Sequence, residues 1–200
     1  PIITSEGRAH PVETRFLPRR AEGWIEPRVA RAVRDALHTE EGDVLVFLPG
    51  AGEIRRVQET LSADGLPAGV RVLPLFGNLS QEEQDEAIRP SPPGRRKVVL
   101  ATSIAETSLT IEGVRVVVDS GLIRVPRFSP RTGMTRLETV TVSGASADQR
   151  RGRAGRLGPG VCHRLWTEAE GAAPQPPRPP EVLGADLAPL ALGLAAWGVA

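Results

Sequence analysis

Residues 149–156 read Gln-Arg-Arg-Gly-Arg-Ala-Gly-Arg, an ordered string of one amide, four guanidiniums and two glycines. On an α-helix, residues three, four and seven apart share a face. Gln149, Arg153 and Arg156 therefore align, while Arg150 and Arg151 point elsewhere, toward solvent or salt-bridge partners. A guanidinium is planar, always charged and forked, which suits phosphate oxygens. Two of them aimed at a transferring phosphoryl group form the arginine-finger arrangement. The string reads as half of an ATP site. Gly152 and Gly155 each cost roughly 1 kcal/mol against Ala in a helix interior, so close backbone approach is expected at both. Ser146 and Gln149 also stand at capping-box spacing. Gln149 can serve the helix start or the nucleotide, and not both.

Elsewhere the chain narrows the chemistry by what it lacks. Its 25 Lys and Arg against 24 Asp and Glu leave a net charge of +1, so nucleic acid must be gripped by local patches and not by a global field. Lys97 is the sole lysine. Cys162 is the sole cysteine, which excludes an internal disulfide and fits a reducing compartment. His10, His38 and His163 have no metal-ligand spacing, so no metal site is assigned. With no apolar run of membrane-spanning length and no export signal, a soluble, cytoplasmic protein is expected.

The elements that must carry these residues follow from period and punctuation. Val12, Thr14 and Phe16 alternate as a short strand. Pro27 suits the first residue of a helix reaching about His38. Asp43 to Leu48, closed by Pro49-Gly50, is an apolar run typical of a strand buried on both faces. A helix over 51–61 comes next, then a strand from Val70 to Phe76. A helix capped by Ser80 and Glu83 follows. Further strands are predicted over Lys97 to Ala101, Val114 to Asp119 and Val161 to Trp166. The alternation predicts an α/β fold, a parallel sheet with helices on both faces. Leu122 to Phe128 and Leu137 to Val142, around Pro130-Arg131-Thr132-Gly133, read as a β-hairpin insertion. Pro174 to Pro180 reads as a linker, and Asp186 as the N-cap of an apolar C-terminal helical tail running to Ala200.

Three stretches carry a family resemblance. Val-Leu-Val-Phe-Leu-Pro-Gly at 44–50, Ala-Thr-Ser-Ile-Ala-Glu-Thr-Ser-Leu-Thr-Ile-Glu-Gly-Val at 101–114 and the string at 149–156 resemble motifs IV, V and VI of the DEAH/RHA helicases of superfamily 2. The flavour is that of their bacterial HrpB branch. The resemblance covers nearly all of the chain. It implies a second RecA-like domain over residues 1–173, with the linker at 174–180 and the start of a winged-helix region over 181–200. It also implies an ATP-dependent RNA helicase, with ATP and Mg²⁺ shared with a first RecA-like domain of the same protein. No Gly-x-x-x-x-Gly-Lys-Ser/Thr loop and no DEAH box occur in the sequence. The phosphate-binding lysine, the Mg²⁺ ligands and the catalytic carboxylate are therefore expected on that first domain, and this chain alone is expected not to hydrolyse ATP.

Roles carry over position by position. The resemblance places Arg153 and Arg156 on the γ-phosphate with Gln149 beside them. It places Ser108 where the γ-phosphate is sensed, Thr110 and Glu112 near the ribose, and Thr102, Ser103 and the backbone at Gly50 on single-stranded RNA. Glu106 is expected to be an internal hydrogen-bond partner. Four departures stand out: Ser103 for a common Asn, Pro49 for a common Thr, Glu112 for a common Asp, and Ile88 near a base-stacking Phe. The hairpin's Arg124, Arg127, Arg131 and Arg136 suit phosphates at a strand junction. A DNA-directed translocase, or a binding scaffold without motor activity, are the alternative readings.

Overall fold

The uninterrupted apolar residues of the predicted strands have a use on both sides of one sheet. The structure, a computed structural model, describes residues 10–63, 65–107, 109–129, 131–172 and 187–198. Its elements run β1 (Val12–Phe16), α1 (Ile25–Thr39), β2 (Asp43–Phe47), α2 (Ala51–Ala63), β3 (Val70–Leu75), α3 (Gln81–Ile88), β4 (Arg96–Ala101), α4 (Ile104–Thr107), β5 (Val114–Asp119), β6 (Leu122–Ser129), β7 (Met134–Thr141), α5 (Gly144–Gly152), a 3₁₀ turn (Arg153–Gly155), β8 (Gly160–Arg164), α6 (Glu168–Ala172) and α7 (Ala188–Ala196). Six strands form one sheet in the order β1-β8-β5-β2-β4-β3, and every pair in it is parallel. The expected α/β architecture is the observed one.

Alternate residues of each strand serve opposite layers. Val44, Val46, Val98, Leu100, Val116 and Val118 pack with Val29 and Val33 of α1 and Ile54, Val57 and Leu61 of α2. On the other face Leu45, Phe47, Val99, Val117 and Cys162 pack with Ala87 of α3, Ala105 of α4 and Ala154 of the 3₁₀ turn. Cys162 is a core residue, and burial pushes its thiol up to about 12, so it stays protonated and inert.

The predicted hairpin is β6–β7, an antiparallel pair separate from the main sheet. Ser80 caps α3 as expected: its hydroxyl accepts from the Glu83 amide while the Glu83 carboxylate accepts from the Ser80 amide at 2.9 Å. Of the predicted helical tail, Ala188–Ala196 is helical, with Leu190, Leu192 and Trp197 exposed. The linker at 174–180, the Asp186 cap and Ser108 lie outside the described residues. Among those residues no helix is long and apolar enough to cross a membrane.

The connections put the candidate residues at two ends of the sheet. Gly50 and Thr102 follow the C-terminal ends of β2 and β4. Thr110 and Glu112 precede the start of β5, and the end of α3 precedes the start of β4. Helix α5 and its 3₁₀ turn run between these ends over the layer built on Phe47 and Cys162.

Candidate nucleotide and nucleic-acid site

The Arg-rich segment starts earlier and ends tighter than its spacing predicts. Ser143 is the N-cap of α5, its hydroxyl accepting from the Ser146 amide. The expected Ser146–Gln149 capping box is absent. Gln149 sits mid-helix and exposed, free of any capping role. After Gly152 the α-helix becomes a 3₁₀ turn. The change from 3.6 to 3.0 residues per turn rotates Arg153 off the predicted face. Gly155 explains why the turn must be there. A Cβ at that position would meet the His10 carbonyl oxygen at 2.6 Å and Val12 Cγ2 at 2.7 Å, where β1 passes beneath. At Gly152 a Cβ would meet nothing within 4 Å, so the expected close approach is confined to Gly155.

The three aligned side chains of the prediction consequently diverge. Arg153 is 6% exposed, and its guanidinium turns inward. Its Nη1 donates to the Leu109 carbonyl at 2.6 Å and its Nη2 to the Glu106 carbonyl. Burial lowers its pKa, and the nearby charge of Arg156 lowers it further. Arg156 is exposed and donates from Nη1 to Thr110 Oγ1 at 2.6 Å. That bond joins the end of the Arg-rich segment to the loop before β5.

Arg150 corrects the expectation of a solvent-facing side chain; only its salt-bridge half holds. It is fully buried. Its Nε donates to Glu106 Oε1 at 2.7 Å and its Nη1 to Asp119 Oδ1 at 2.8 Å and to the Leu122 carbonyl at 3.2 Å. The guanidinium also lies 4.9 Å from the Phe47 ring centroid. Burial pushes the Asp119 carboxyl upward, and Arg150 and the Gly121 amide pull it back. Arg151 keeps a partly exposed ion pair with Asp148 at 3.6 Å. Glu106 is the internal hydrogen-bond partner it was expected to be: beyond Arg150, its Oε2 accepts from Ser146 Oγ at 2.7 Å. So α4 is fastened to α5 through side chains and main chain together.

Thr110 and Glu112 share an open cavity of about 280 Å³ with Asp85, Ile88, Arg89 and Pro90. Ala87 is the α3 residue that enters the core, whereas Ile88 is half-buried on the cavity wall. A hydroxyl, a carboxylate and an aliphatic wall suit the sugar and base end of a nucleotide. Among the described residues no cluster of His, Cys, Asp or Glu could hold a metal ion.

At the opposite end, Thr102 and Ser103 leave β4 as the first turn into α4; their carbonyls accept from the Ala105 and Glu106 amides. Ser103 is exposed and Thr102 half-buried. Gly50 is buried beneath the hairpin: a Cβ there would meet Arg124 Nη1 at 2.4 Å. Arg124 Nη2 donates to Glu53 Oε1 at 2.9 Å, tying β6 to the first turn of α2. Sequence reasoning missed this tie and the role of Asp119. The one signal for Asp119 was a carboxylate closing the apolar run Val116-Val117-Val118.

Comparison with known proteins bears on this geometry. The helicase conserved C-terminal domain model matches residues 28–158, which is more than half of the chain. The chain belongs to the helicase conserved C-terminal domain family. The helicase domain is 53% identical over 200 residues to the ATP-dependent RNA helicase HrpB of Escherichia coli, covering 99% of the chain and 24% of that protein. It is 40% identical to the pre-mRNA-splicing factor ATP-dependent RNA helicase prp22 of Schizosaccharomyces pombe, covering 100% of the chain and 18% of that protein. The crystal structure of Escherichia coli DEAH/RHA helicase HrpB superposes with a TM-score of 0.91 at 50% identity, over 99% of the chain and 25% of that structure. The helicase domain is thus of DEAH/RHA type with a RecA-like fold, and it spans about a quarter of the length of the HrpB it matches.

Proposed function

We propose that this domain is the second motor domain of an ATP-dependent RNA helicase, closing over an ATP held by a preceding RecA-like domain. The observation that carries the reading is the Arg156–Thr110 hydrogen bond, which joins the Arg-rich segment to the loop walling the 280 Å³ cavity. Ile88, Thr110 and Glu112 receive the sugar and base end. Ile88 gives contact without ring stacking, so selectivity for adenine is expected to be weak. Gln149, exposed on α5, joins the nucleotide face, and Ser108 takes the γ-phosphate-sensing role that the family resemblance gives it. Arg156 is exposed and presents its fork to the γ-phosphate. Arg153 follows once it leaves the carbonyls of Glu106 and Leu109.

ATP bound with Mg²⁺ supplies a triphosphate whose cleavage drives the cycle, and the Mg²⁺ ligands belong to the preceding domain. This domain's residues supply charge and position. Thr102, Ser103 and the backbone at Gly50 face single-stranded RNA at the other end of the sheet. For Gly50 to touch RNA, Arg124 must move from above it, so the hairpin and the RNA grip change together. The fastening of α4 to α5 through Glu106 links the two ends, and each change in the nucleotide cleft shifts the grip on the backbone. Phosphate contacts carry little sequence information, so RNA binding is expected to be weakly sequence-specific.

The test is steady-state ATP hydrolysis by the full-length protein with RNA, with DNA and with neither. RNA stimulation is expected, together with a large loss of turnover in Arg153→Ala. Stimulation by DNA alone would support a DNA translocase. No hydrolysis under any condition would support a scaffold that lost its motor.

A further inference from the structure

The sole lysine of the chain is used neither for nucleotide nor for nucleic acid in the reading above, yet it is 3% exposed. A buried ammonium needs acceptors for its three protons. Lys97, on β4, finds three: its Nζ donates to the carbonyls of Ala87 at 2.8 Å, Ile88 at 3.3 Å and Arg89. These are among the last carbonyls of α3, which have no partner within the helix, and a cation there also faces the negative end of the helix dipole. Burial lowers the Lys97 pKa, while Asp43 and Glu112 oppose the shift.

Asp43 completes the arrangement from β2. It too is 3% exposed. Its Oδ1 accepts from the Lys97 amide at 2.9 Å, and its two carboxylate oxygens accept from Ser91 Oγ at 2.9 and 2.8 Å. Its amide donates to the Gly113 carbonyl at 2.9 Å. Gly113 has φ +85, and a Cβ there would meet Asp43 Oδ2 at 2.8 Å, so the carboxylate lies directly against the turn that follows Glu112. One wall of the cavity (Ile88 to Pro90) is therefore held by Lys97 and, through Ser91, by Asp43. The other wall (Thr110 to Glu112) ends on Asp43. Two adjacent strands thus tie both walls of the cleft through Lys97 and Asp43, neither of which lines it.

We propose that Lys97 is a positioning residue for the nucleotide cleft, fixing, with Asp43, the separation between Ile88 and the Thr110–Glu112 wall. The inference rests on the reading that this cavity receives the sugar and base end of the nucleotide. Displacements of an ångström in positioning elements change rates and affinities by up to about a hundredfold. Here the effect falls on binding, because the phosphates are held elsewhere.

The experiment uses the full-length protein carrying Lys97→Met, which keeps the volume and removes the three donors. The KM for ATP is expected to rise by about tenfold with kcat within about twofold, the pattern of lost uniform binding. Inhibition by inorganic tripolyphosphate, which has no sugar or base, is expected to be unchanged. Ser91→Ala loosens the same wall from a loop by removing its bonds to the buried Asp43 carboxylate. It is expected to raise KM by about threefold with only a modest fall in melting temperature, and it keeps the test decisive if Lys97→Met fails to fold. Lys97→Arg, which retains donors, is expected to recover part of the affinity. Equal losses of ATP and tripolyphosphate affinity, or a fall in kcat with KM unchanged, would overturn the proposal and leave Lys97 a purely structural residue. Ile88→Ala and Glu112→Ala separate the two levels. If they raise KM while Lys97→Met and Ser91→Ala do not, the positioning role falls alone. If none of the four moves KM, the cavity does not receive the nucleoside.

Discussion

Replacing Arg150 by Met tests how the nucleotide-side and hairpin-side elements are held together. The guanidinium is wholly buried, bonded to Glu106 and Asp119, to the Leu122 carbonyl at the root of the hairpin, and stacked near Phe47. Met fills much of the volume but leaves two carboxylates without their cation, one of them fully buried. Breaking a buried pair by removing one partner costs about 3–5 kcal/mol. For a domain of this size that corresponds to a fall in melting temperature of roughly 6–20 °C. The pH dependence gives a sharper signature. Burial already holds the folded-state pKa of Asp119 above its ordinary value against the pull of Arg150, and removing Arg150 raises it further. A carboxyl with a raised folded pKa loses its stabilising contribution as pH rises from the unfolded to the folded value, and the variant goes on losing stability over the interval between the wild-type and variant folded pKa values. The gap between wild type and Arg150→Met should therefore widen as pH rises through that interval and level off above it. Thermal unfolding followed by circular dichroism at several pH values measures it. Adding Asp119→Asn should recover part of the loss. A fall below about 3 °C, or a gap independent of pH, would refute the reasoning.

Other outcomes follow from individual positions. Gly155→Ala should destabilise the chain by about 1–3 kcal/mol, because the new Cβ meets the His10 carbonyl and the Val12 side chain, whereas Gly152→Ala, with open space around it, should stabilise by up to about 1 kcal/mol; denaturant midpoints of the two variants check both. His163 is largely buried with Nε2 unpaired, and burial, aided by Arg15, holds its pKa below the ordinary value. The unfolded chain therefore takes up this proton first, so stability should fall as pH drops from about 6.5 through the lower folded value. His163→Gln should flatten that slope in pH-dependent urea titrations.

The fold was legible where local pattern and burial agree. The run Val44 to Leu48 is apolar at every position because alternate residues feed two different layers, and that is visible without coordinates. Ser80 and Glu83 announce a helix start at fixed spacing, and the turn residues around Gly133 announce the hairpin. The short α4 was not visible, since its four residues lie in a hydroxyl-rich loop with no helical period. The candidate site was legible as a set of residues and only partly as geometry. Arg153 and Arg156 were expected on one exposed face. The passage of β1 under Gly155 tightens the helix, and Arg153 is drawn onto the carbonyls of Glu106 in α4 and of Leu109 just after it, more than forty residues away. Arg150 was expected at solvent or in a salt bridge, and its burial was not visible because its partners Asp119 and Glu106 stand 31 and 44 residues distant, beyond any local window. Lys97 announced nothing, because a helix end that needs a cation is invisible until the strand beneath it is known.

The central claim is that Arg156, exposed and set beside the cavity by Thr110, reaches a triphosphate held by the preceding domain. Single-turnover cleavage of ATP by the full-length protein saturated with RNA tests it most directly. Arg156→Ala is expected to slow the chemical step by about 10³-fold or more, the scale of a lost arginine finger, while RNA affinity without nucleotide stays within about twofold, because the residues proposed to face RNA lie at the other end of the sheet. Cleavage at the wild-type rate in Arg156→Ala would contradict the account.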